Sequence, residues 1–165
     1  MSRIPKNLIE ANDDKKEINL KNGEIEFIDV NFNYLSNIEN QVLKDINIKI
    51  IGNKMTALVG QSGSGKSTLL NLIPRIYDPK SGMLKVDGQN IKEINLNSLR
   101  KEISIVDQNT TLFDDTVFNN IKYARPDANK EDIFEAAKLS MCDEFINNLE
   151  NGFEPMIGEN GVRLS

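Results

Sequence analysis

The sequence contains no histidine and only one cysteine, Cys142, among its 165 residues. The absence of histidine excludes histidine catalysis and histidine metal sites, and one thiol alone is too little for an ordinary zinc site. A single cysteine cannot form an internal disulfide, which fits a reducing compartment. Free cysteines are usually buried, and Cys142 lies near an apolar stripe, so we expect a packed thiol and not a nucleophile.

Long apolar runs and concentrated charge are also missing. No stretch approaches the length of a membrane-spanning helix, and residues 1–20 lack the apolar core of a signal peptide. The net charge is −5 with both signs spread along the chain, so no basic surface for nucleic acid or an anionic membrane stands out. The length suffices for one domain with a hydrophobic core.

Strands dominate the first part of the chain. Alternating apolar and polar residues predict strands over Glu24–Tyr34 and Gln41–Ile50. Lys54–Gly60 is more continuously apolar, which predicts a short buried strand. Further strands are expected over Gly82–Gly88 and Lys101–Gln108.

Helices are expected elsewhere. Lys66–Ile73 follows a Gly/Ser loop and predicts a helix, and from about Leu112 the whole pattern becomes helical. Within Asn129–Leu149 an apolar stripe recurs every four residues, which predicts a face packed on the core. Asn129 is the expected N-cap, with Asp132 three residues later. The stripe consists of Ile133, Ala137, Met141, Phe145 and Leu149.

The clearest chemical signal is GQSGSGKST, at Gly60–Thr68, which fits the phosphate-binding pattern G-x-x-x-x-G-K-[ST]. A loop that wraps a phosphate with inward N–H groups needs residues without a Cβ atom, and the following helix N-terminus favours an anion. Lys66 would supply positive charge to the outer phosphates, and Ser67 a hydroxyl to Mg²⁺. The predicted nucleotide contacts are Gly60, Gln61, Ser62, Gly63, Ser64, Gly65, Lys66, Ser67 and Thr68.

Chance and a flexible Gly/Ser linker are the alternatives for this loop. The four fixed positions rarely coincide by accident in a chain of this length. A buried-looking strand precedes the loop and an apolar helix follows it, which is not typical of a linker. We therefore predict nucleotide phosphate binding, a property that kinases, GTPases and motors share.

From about Gly23 onward the chain resembles the nucleotide-binding domain of ATP-binding cassette (ABC) transporters, most closely the exporter type. Besides the phosphate loop, the resemblance rests on DVNFNY, VLKDINIKI, LIPRIYDPKSGMLKVDGQNI, LNSLRKEISIVDQNTTLFDDTVFNNIKYA and IGENGVRLS. FINNLENGFEPMIGENG is similar to bacterial flippases that export the lipid A core. The resemblance implies an α/β fold of the P-loop NTPase type, in which a mixed sheet is joined to a helical subdomain.

The resemblance also implies roles for residues outside the loop. Tyr34 would stack on the adenine base, in which case Tyr34→Phe is expected to be nearly neutral. Gln108 would be the Q-loop glutamine, which binds Mg²⁺ with Ser67 and acts in catalysis with Lys66. An ordinary strand aromatic and a solvated amide are the alternatives. The position of Gln108 directly after a predicted strand favours function, since nucleotides bind there in α/β sheets. Glu159 would face the membrane domain.

Leu164 and Ser165 match the first two residues of the family signature, LSGGQ, and Ser165 would contact nucleotide. On this interpretation the Walker B aspartate, the catalytic glutamate and the loop histidine would follow Ser165. The domain would then be incomplete at its C-terminus and inactive alone. Residues 57–59 would lack strand neighbours.

The implied organisation is a linker from a membrane domain at 1–22, an ATP-binding core at 23–108 and a helical subdomain at 109–165. Its expected function is to couple ATP binding and hydrolysis to export, of lipid, at the cytoplasmic side of the plasma membrane. The expected partners are ATP, Mg²⁺, the transmembrane domain and a second nucleotide-binding domain paired head to tail, with no nucleic acid.

Two other functions stay open: a nucleotide-binding regulatory module that does not hydrolyse ATP, and a soluble cassette ATPase of DNA repair or translation. The linker-like N-terminus followed by GEIEFIDV favours the exporter over the soluble ATPase.

Overall fold

The computed structural model describes residues 14–35, 41–106 and 111–158. The chain divides into two compact units, Met1–Ile105 and Val106–Ser165. Among the described residues, no helix is both long and apolar enough to cross a membrane.

The first unit is built on a four-stranded sheet. Its strands pair antiparallel in the order β2-β1-β3-β4. The strands predicted over Glu24–Tyr34, Gln41–Ile50 and Gly82–Gly88 are confirmed. The bounds are Ile25–Phe32 for β1, Leu43–Ile50 for β2, Ser81–Val86 for β3 and Gln89–Asn90 for β4.

A bulge in β1 changes the alternation of buried residues. Phe27 and Val30 are three positions apart, yet both are buried, because the pairing register shifts between them. Asp29, within the bulge, has a φ of 48°. Across the sheet, a Cβ atom on Gly82 would lie 2.3 Å from the Asp29 carbonyl oxygen, so glycine is required beside this bulge.

Helices cover the core of this unit. Helix α1 spans Lys66–Leu72, as predicted; a 3₁₀ turn spans Ile91–Glu93, and α2 spans Leu96–Lys101. Asn95 caps α2 by accepting hydrogen bonds from the backbone N–H groups of residues 97 and 98. The buried core cluster comprises Phe27, Val30, Phe32, Leu43, Leu69, Leu72, Leu84, Val86, Ile91, Ile94 and Leu99.

Two predicted strands are not formed in the described part of the chain. Residues 54–60 belong to no strand, and Met55 and Val59 are fully or almost fully exposed. Of the predicted strand Lys101–Gln108, Lys101 ends α2, residues 103–106 are irregular, and the last two positions lie outside the described residues. The prediction of buried strands is wrong here because a strand requires hydrogen-bonded neighbours, and no described segment supplies them.

Residues 14–24 run along the first unit and bond to it repeatedly. Lys16 forms a bridge with Ile94, and its carbonyl oxygen accepts a hydrogen bond from the Asn95 N–H group at 2.8 Å. Asn19 and Gln89 exchange two hydrogen bonds. These contacts attach the segment to the sheet, while its assignment as a linker from a membrane domain stays a prediction.

The second unit is helical, with α3 at Val117–Lys122, α4 at Lys130–Leu139 and α5 at Asp143–Asn147. Residues 153–157 lie alongside the start of α3, and the Phe118 N–H group donates to the Phe153 carbonyl oxygen at 3.0 Å. The core of this unit consists of Val117, Ala137, Ile146 and Ile157.

The long apolar stripe predicted for the second unit is interrupted. Ile133 and Ala137 are buried as expected, but Met141 has a φ of 57° and is 84% exposed. The left-handed residue ends α4 and changes the helical phase, so that Ile146, and not Phe145, faces the core.

The expected burial of Cys142 is also wrong, since its thiol is exposed. Cys142 directly follows this left-handed residue, at the start of α5, and therefore leaves the apolar face on which its expected burial depended.

Candidate nucleotide-binding site

The phosphate loop connects residues 54–60 to α1 in the first unit. Its backbone needs glycine, because Gly63 and Gly65 have φ angles of 80° and 86°. Close packing adds a second requirement at Gly65, where a Cβ atom would lie 2.8 Å from the Leu43 side chain. Gly65 directly precedes α1 and no side chain caps the helix, so the N-terminal N–H groups stay available to a ligand.

The Lys66 ammonium lies against the loop. Its Nζ atom donates to the carbonyl oxygens of Gly60 and Gln61, each at 2.8 Å, and to Ser64 Oγ at 3.3 Å. The Ser64 N–H group donates to the Gln61 carbonyl oxygen at 3.2 Å, which closes a turn in the loop. The lysine therefore holds the loop together and concentrates positive charge at its centre.

The chemistry of this donor set fits a phosphate. The loop offers backbone N–H groups and an ammonium, and its sequence contains no carboxylate to repel an anion. Gly60, Gln61, Ser62, Gly63, Ser64 and Ser67 are exposed, while Gly65 and Lys66 are half-buried.

The described residues contain no cluster of three or more acidic, histidine or cysteine side chains that could together coordinate a divalent cation. Mg²⁺ often binds through one or two protein groups and substrate phosphates, and the Ser67 hydroxyl fits that mode.

Tyr34 lies beside the helix that follows the loop. Its hydroxyl is 2.8 Å from Thr68 Oγ1, although the two residues are 34 positions apart. Its ring makes edge-on contacts with Phe32, at a centroid distance of 4.9 Å, and with Tyr77, at 5.3 Å. The structure thus brings the predicted base-stacking ring and the phosphate-loop helix into one unit.

A largely apolar cavity of about 670 Å³ adjoins this tyrosine. Its size and aromatic walls suit a planar ring such as a nucleobase. The lining residues are Phe32, Asn33, Tyr34, Leu35, Ile76, Tyr77, Asp78 and Lys80.

Sequence reasoning missed Tyr77 and the groups that hold its loop. Arg75 is buried, with 8% of its surface exposed, and its guanidinium bonds both carboxylate oxygens of Asp78, at 3.0 and 3.3 Å. It also donates to the Ile91 carbonyl oxygen at 3.2 Å. A buried arginine that pairs with a carboxylate and bonds a distant carbonyl oxygen fixes the turn that carries Tyr77. The only available signal was the motif RIYDP, which does not reveal the pairing.

Three other predicted site residues lie outside the described residues, namely Gln108, Glu159 and Ser165. Of the predicted contacts in the loop and α1, only Thr68 is buried, with 5% of its surface exposed.

Comparison with known proteins assigns the family. The sequence profile of the ABC transporter family matches residues 43–162. The chain is 49% identical over 152 residues to the ATP-dependent lipid A-core flippase of Pectobacterium atrosepticum, covering 92% of the chain and 26% of the flippase. Against the ATP-dependent lipid A-core flippase of Legionella pneumophila it is 50% identical, covering 87% of the chain and 24% of the relative.

A solved structure gives the same picture. A bacterial Atm1-family ABC exporter with ATP bound matches with a TM-score of 0.85 and 33% identity, covering 93% of this chain and 27% of the exporter chain. The chain therefore spans about a quarter of the length of these relatives. Sequence and fold agree that the chain belongs to the ABC transporter family and carries part of its P-loop ATP-binding domain.

Proposed function

We propose that the chain binds ATP with Mg²⁺ and serves as part of the ATP-binding domain of an ABC exporter. The observation that carries this proposal is the 2.8 Å contact between the Tyr34 and Thr68 hydroxyl groups. It joins the aromatic ring that is predicted to stack on the base, here called the base platform, to the phosphate-loop helix α1. Lys66 and the loop N–H groups would hold the phosphates, and Tyr34 would stack on the base. Bound Mg²⁺ would neutralise charge on the outer phosphates with Ser67 as a ligand.

Hydrolysis and transport belong to the whole exporter in this proposal. Gln108 would join Ser67 at Mg²⁺, and Ser165 would contact the nucleotide held by a second domain paired head to tail. The partner membrane domain and a position at the cytoplasmic side of the membrane are supported by the exporter relatives.

Lipid is the substrate class that we propose. Two relatives at 49% and 50% identity are named as lipid A-core flippases. Sequencing the gene upstream of Met1 tests the exporter assignment, because membrane-spanning segments are expected there. Lipid-flipping assays on the complete transporter then test the substrate class. A gene without such segments would instead favour a soluble cassette ATPase.

Calorimetric titration with Mg·ATP tests nucleotide binding. Charge-assisted hydrogen bonds to phosphate contribute about 1.5–3 kcal/mol each, so Lys66→Ala should weaken binding at least about tenfold. Lys54→Ala is the matched control, because Lys54 is exposed and lies outside the loop. Equal affinity of the wild type and Lys66→Ala would contradict the proposal. Thermal unfolding without nucleotide checks that the variant keeps its fold.

Phosphate release measured on the same preparations tests hydrolysis. ATP hydrolysis needs a general base that orients the attacking water molecule, and such a base contributes roughly 10²–10⁴ in rate. None of the residues that we assign to ATP binding is a carboxylate that could take this role. We therefore propose that these 165 residues alone bind ATP without turnover. Robust release by the wild type that Lys66→Ala abolishes would contradict this part of the proposal.

A further inference from the structure

We propose that Thr68 is a positioning residue for the base-stacking ring of Tyr34, which makes the base platform and the phosphate-loop helix one mechanical unit. This inference rests on the proposed function. It assigns the Thr68 side chain an action on nucleotide through Tyr34, in place of a direct contact with phosphate.

The side-chain hydroxyl groups of Thr68 and Tyr34 lie within hydrogen-bond distance of each other. Thr68 Oγ1 and the Tyr34 hydroxyl are 2.8 Å apart, and either group can donate. Thr68 is only 5% exposed, whereas its neighbour Ser67 is exposed. The Thr68 side chain therefore faces the protein interior and the Tyr34 hydroxyl, while the Ser67 side chain remains accessible to a ligand.

Three contacts constrain the Tyr34 side chain. Phe32 and Tyr77 contact it at interplanar angles of 87° and 89°, so both neighbours pack edge to face with it. The hydroxyl bond to Thr68 adds a third fixed point at the far end of the side chain. Rings held before binding lose less conformational freedom when a ligand stacks on them, which improves affinity.

Thr68 is also close in sequence to the lysine of the phosphate loop. It lies two residues after Lys66, on the first turn of α1, so a displacement of Tyr34 is transmitted to the turn that carries the phosphate-binding lysine. Base and phosphate binding should then be coupled, although the two groups of residues contact different parts of the nucleotide.

The test compares two probes on the whole chain: Mg·ATP, and inorganic tripolyphosphate with Mg²⁺, which lacks a base. A net hydrogen bond of ordinary strength corresponds to about three- to tenfold in affinity. Thr68→Val should weaken ATP binding by that factor and leave tripolyphosphate binding within about twofold. Thr68→Ser keeps the hydroxyl and should restore ATP binding. Thr111→Val is the control, because Thr111 is exposed in the second unit.

Tyr34→Phe completes a double-mutant cycle. The resemblance alone implies that this change is nearly neutral, but removing one partner of the bond should weaken ATP binding as Thr68→Val does. The double variant should lose little more than either single variant, since both remove the same interaction. Tyr34→Ala, which also removes the ring, should lose more.

Three outcomes would overturn the inference. Equal weakening of both probes by Thr68→Val would show that Thr68 acts on phosphate directly. Tighter ATP binding would show that the hydroxyl pair opposes nucleotide entry. Additive losses in the cycle would show that the two hydroxyls act independently. Failure of the proposed function is distinguishable, because Lys66→Ala would then leave the binding of both probes unchanged.

Discussion

At the scale of single residues, Asp87 organises the attachment of the N-terminal segment. Its carboxylate accepts hydrogen bonds from the backbone N–H groups of four consecutive residues, 21–24, at 2.7 to 3.1 Å. These hydrogen bonds, that of the Lys21 N–H group most of all, lower the pKa of Asp87 from the ordinary 3.8 to about 2. Burial acts in the opposite direction but has the smaller effect.

This depressed pKa predicts a pH-dependent stability. Because the folded-state pKa lies below the unfolded one, the contribution is fully present above about pH 4 and is lost as the pH falls toward 2. Allowing for screening at a half-exposed site, we expect Asp87→Asn to lower the free energy of unfolding by about 1–2 kcal/mol at pH 7. The difference in the free energy of unfolding between the wild type and Asp87→Asn should shrink as the pH is lowered from about 4 toward 2.

Urea unfolding of both proteins at several pH values measures the effect. Asp127→Asn is the control, because Asp127 is exposed in the second unit. An Asp87→Asn deficit that stays constant between pH 7 and pH 2.5 would argue against the carboxylate as its cause.

At the scale of secondary-structure elements, α4 begins with a reciprocal capping box. Asn129 Oδ1 accepts from the Asp132 N–H group at 2.8 Å, and Asp132 Oδ2 accepts from the Asn129 N–H group at 3.1 Å. Arg125 also pairs with the Asp132 carboxylate. The N-terminus of α4 is therefore satisfied by side chains from its own neighbourhood.

Asn129→Ala should cost about 1 kcal/mol of stability in the second unit, since it leaves N-terminal N–H groups without an acceptor. Asn129→Ser should recover most of the loss, because serine is also a good cap. Glu135→Ala, at an exposed position of the same helix, should change little. Thermal unfolding followed by circular dichroism measures all three, and a neutral Asn129→Ala would show that the box is redundant.

The elements also show which features a sequence can predict. The α4 cap and strands β1 to β3 follow from local spacing, so they are predicted correctly. The residues 54–60 are apolar enough for a strand, but strand formation depends on distant neighbours that no local pattern encodes. The end of α4 at Met141 depends on a left-handed backbone at a residue that normally favours helices.

The candidate site divides in the same way. The phosphate loop is a contiguous motif, so its residues are predicted from spacing alone, and their contacts with nucleotide stay a prediction. The bond between Tyr34 and Thr68 joins residues 34 positions apart, and the Arg75–Asp78 pair depends on the turn after α1. Such contacts become visible only when the backbone is folded.

At the scale of the whole molecule, apolar side chains are exposed on both units. Met55 and Val59 are exposed in the first unit, and Val106 is 97% exposed at the start of the second. They lie in the irregular segments 54–60 and 103–106, whose backbone groups are not paired in a sheet. Exposed apolar residues next to unpaired backbone favour association between chains.

We therefore expect the 165-residue chain to self-associate at micromolar concentration. Val59→Lys and Val106→Lys should reduce association without lowering stability, because neither side chain is packed. Leu139→Lys, which replaces another exposed apolar residue away from these segments, should leave association unchanged. Sedimentation velocity measures the distribution of species, and a monodisperse wild type would contradict the expectation.

The exposed thiol of Cys142 has a practical consequence. It is the only cysteine in the sequence, and it lies at the start of α5 in the second unit. A maleimide dye therefore attaches at one known position without any mutagenesis. The fluorescence of the dye reports on the helical unit, while the heat of Mg·ATP binding reports on the unit that carries the phosphate loop. One singly labelled preparation can thus follow the two units separately during a titration with Mg·ATP.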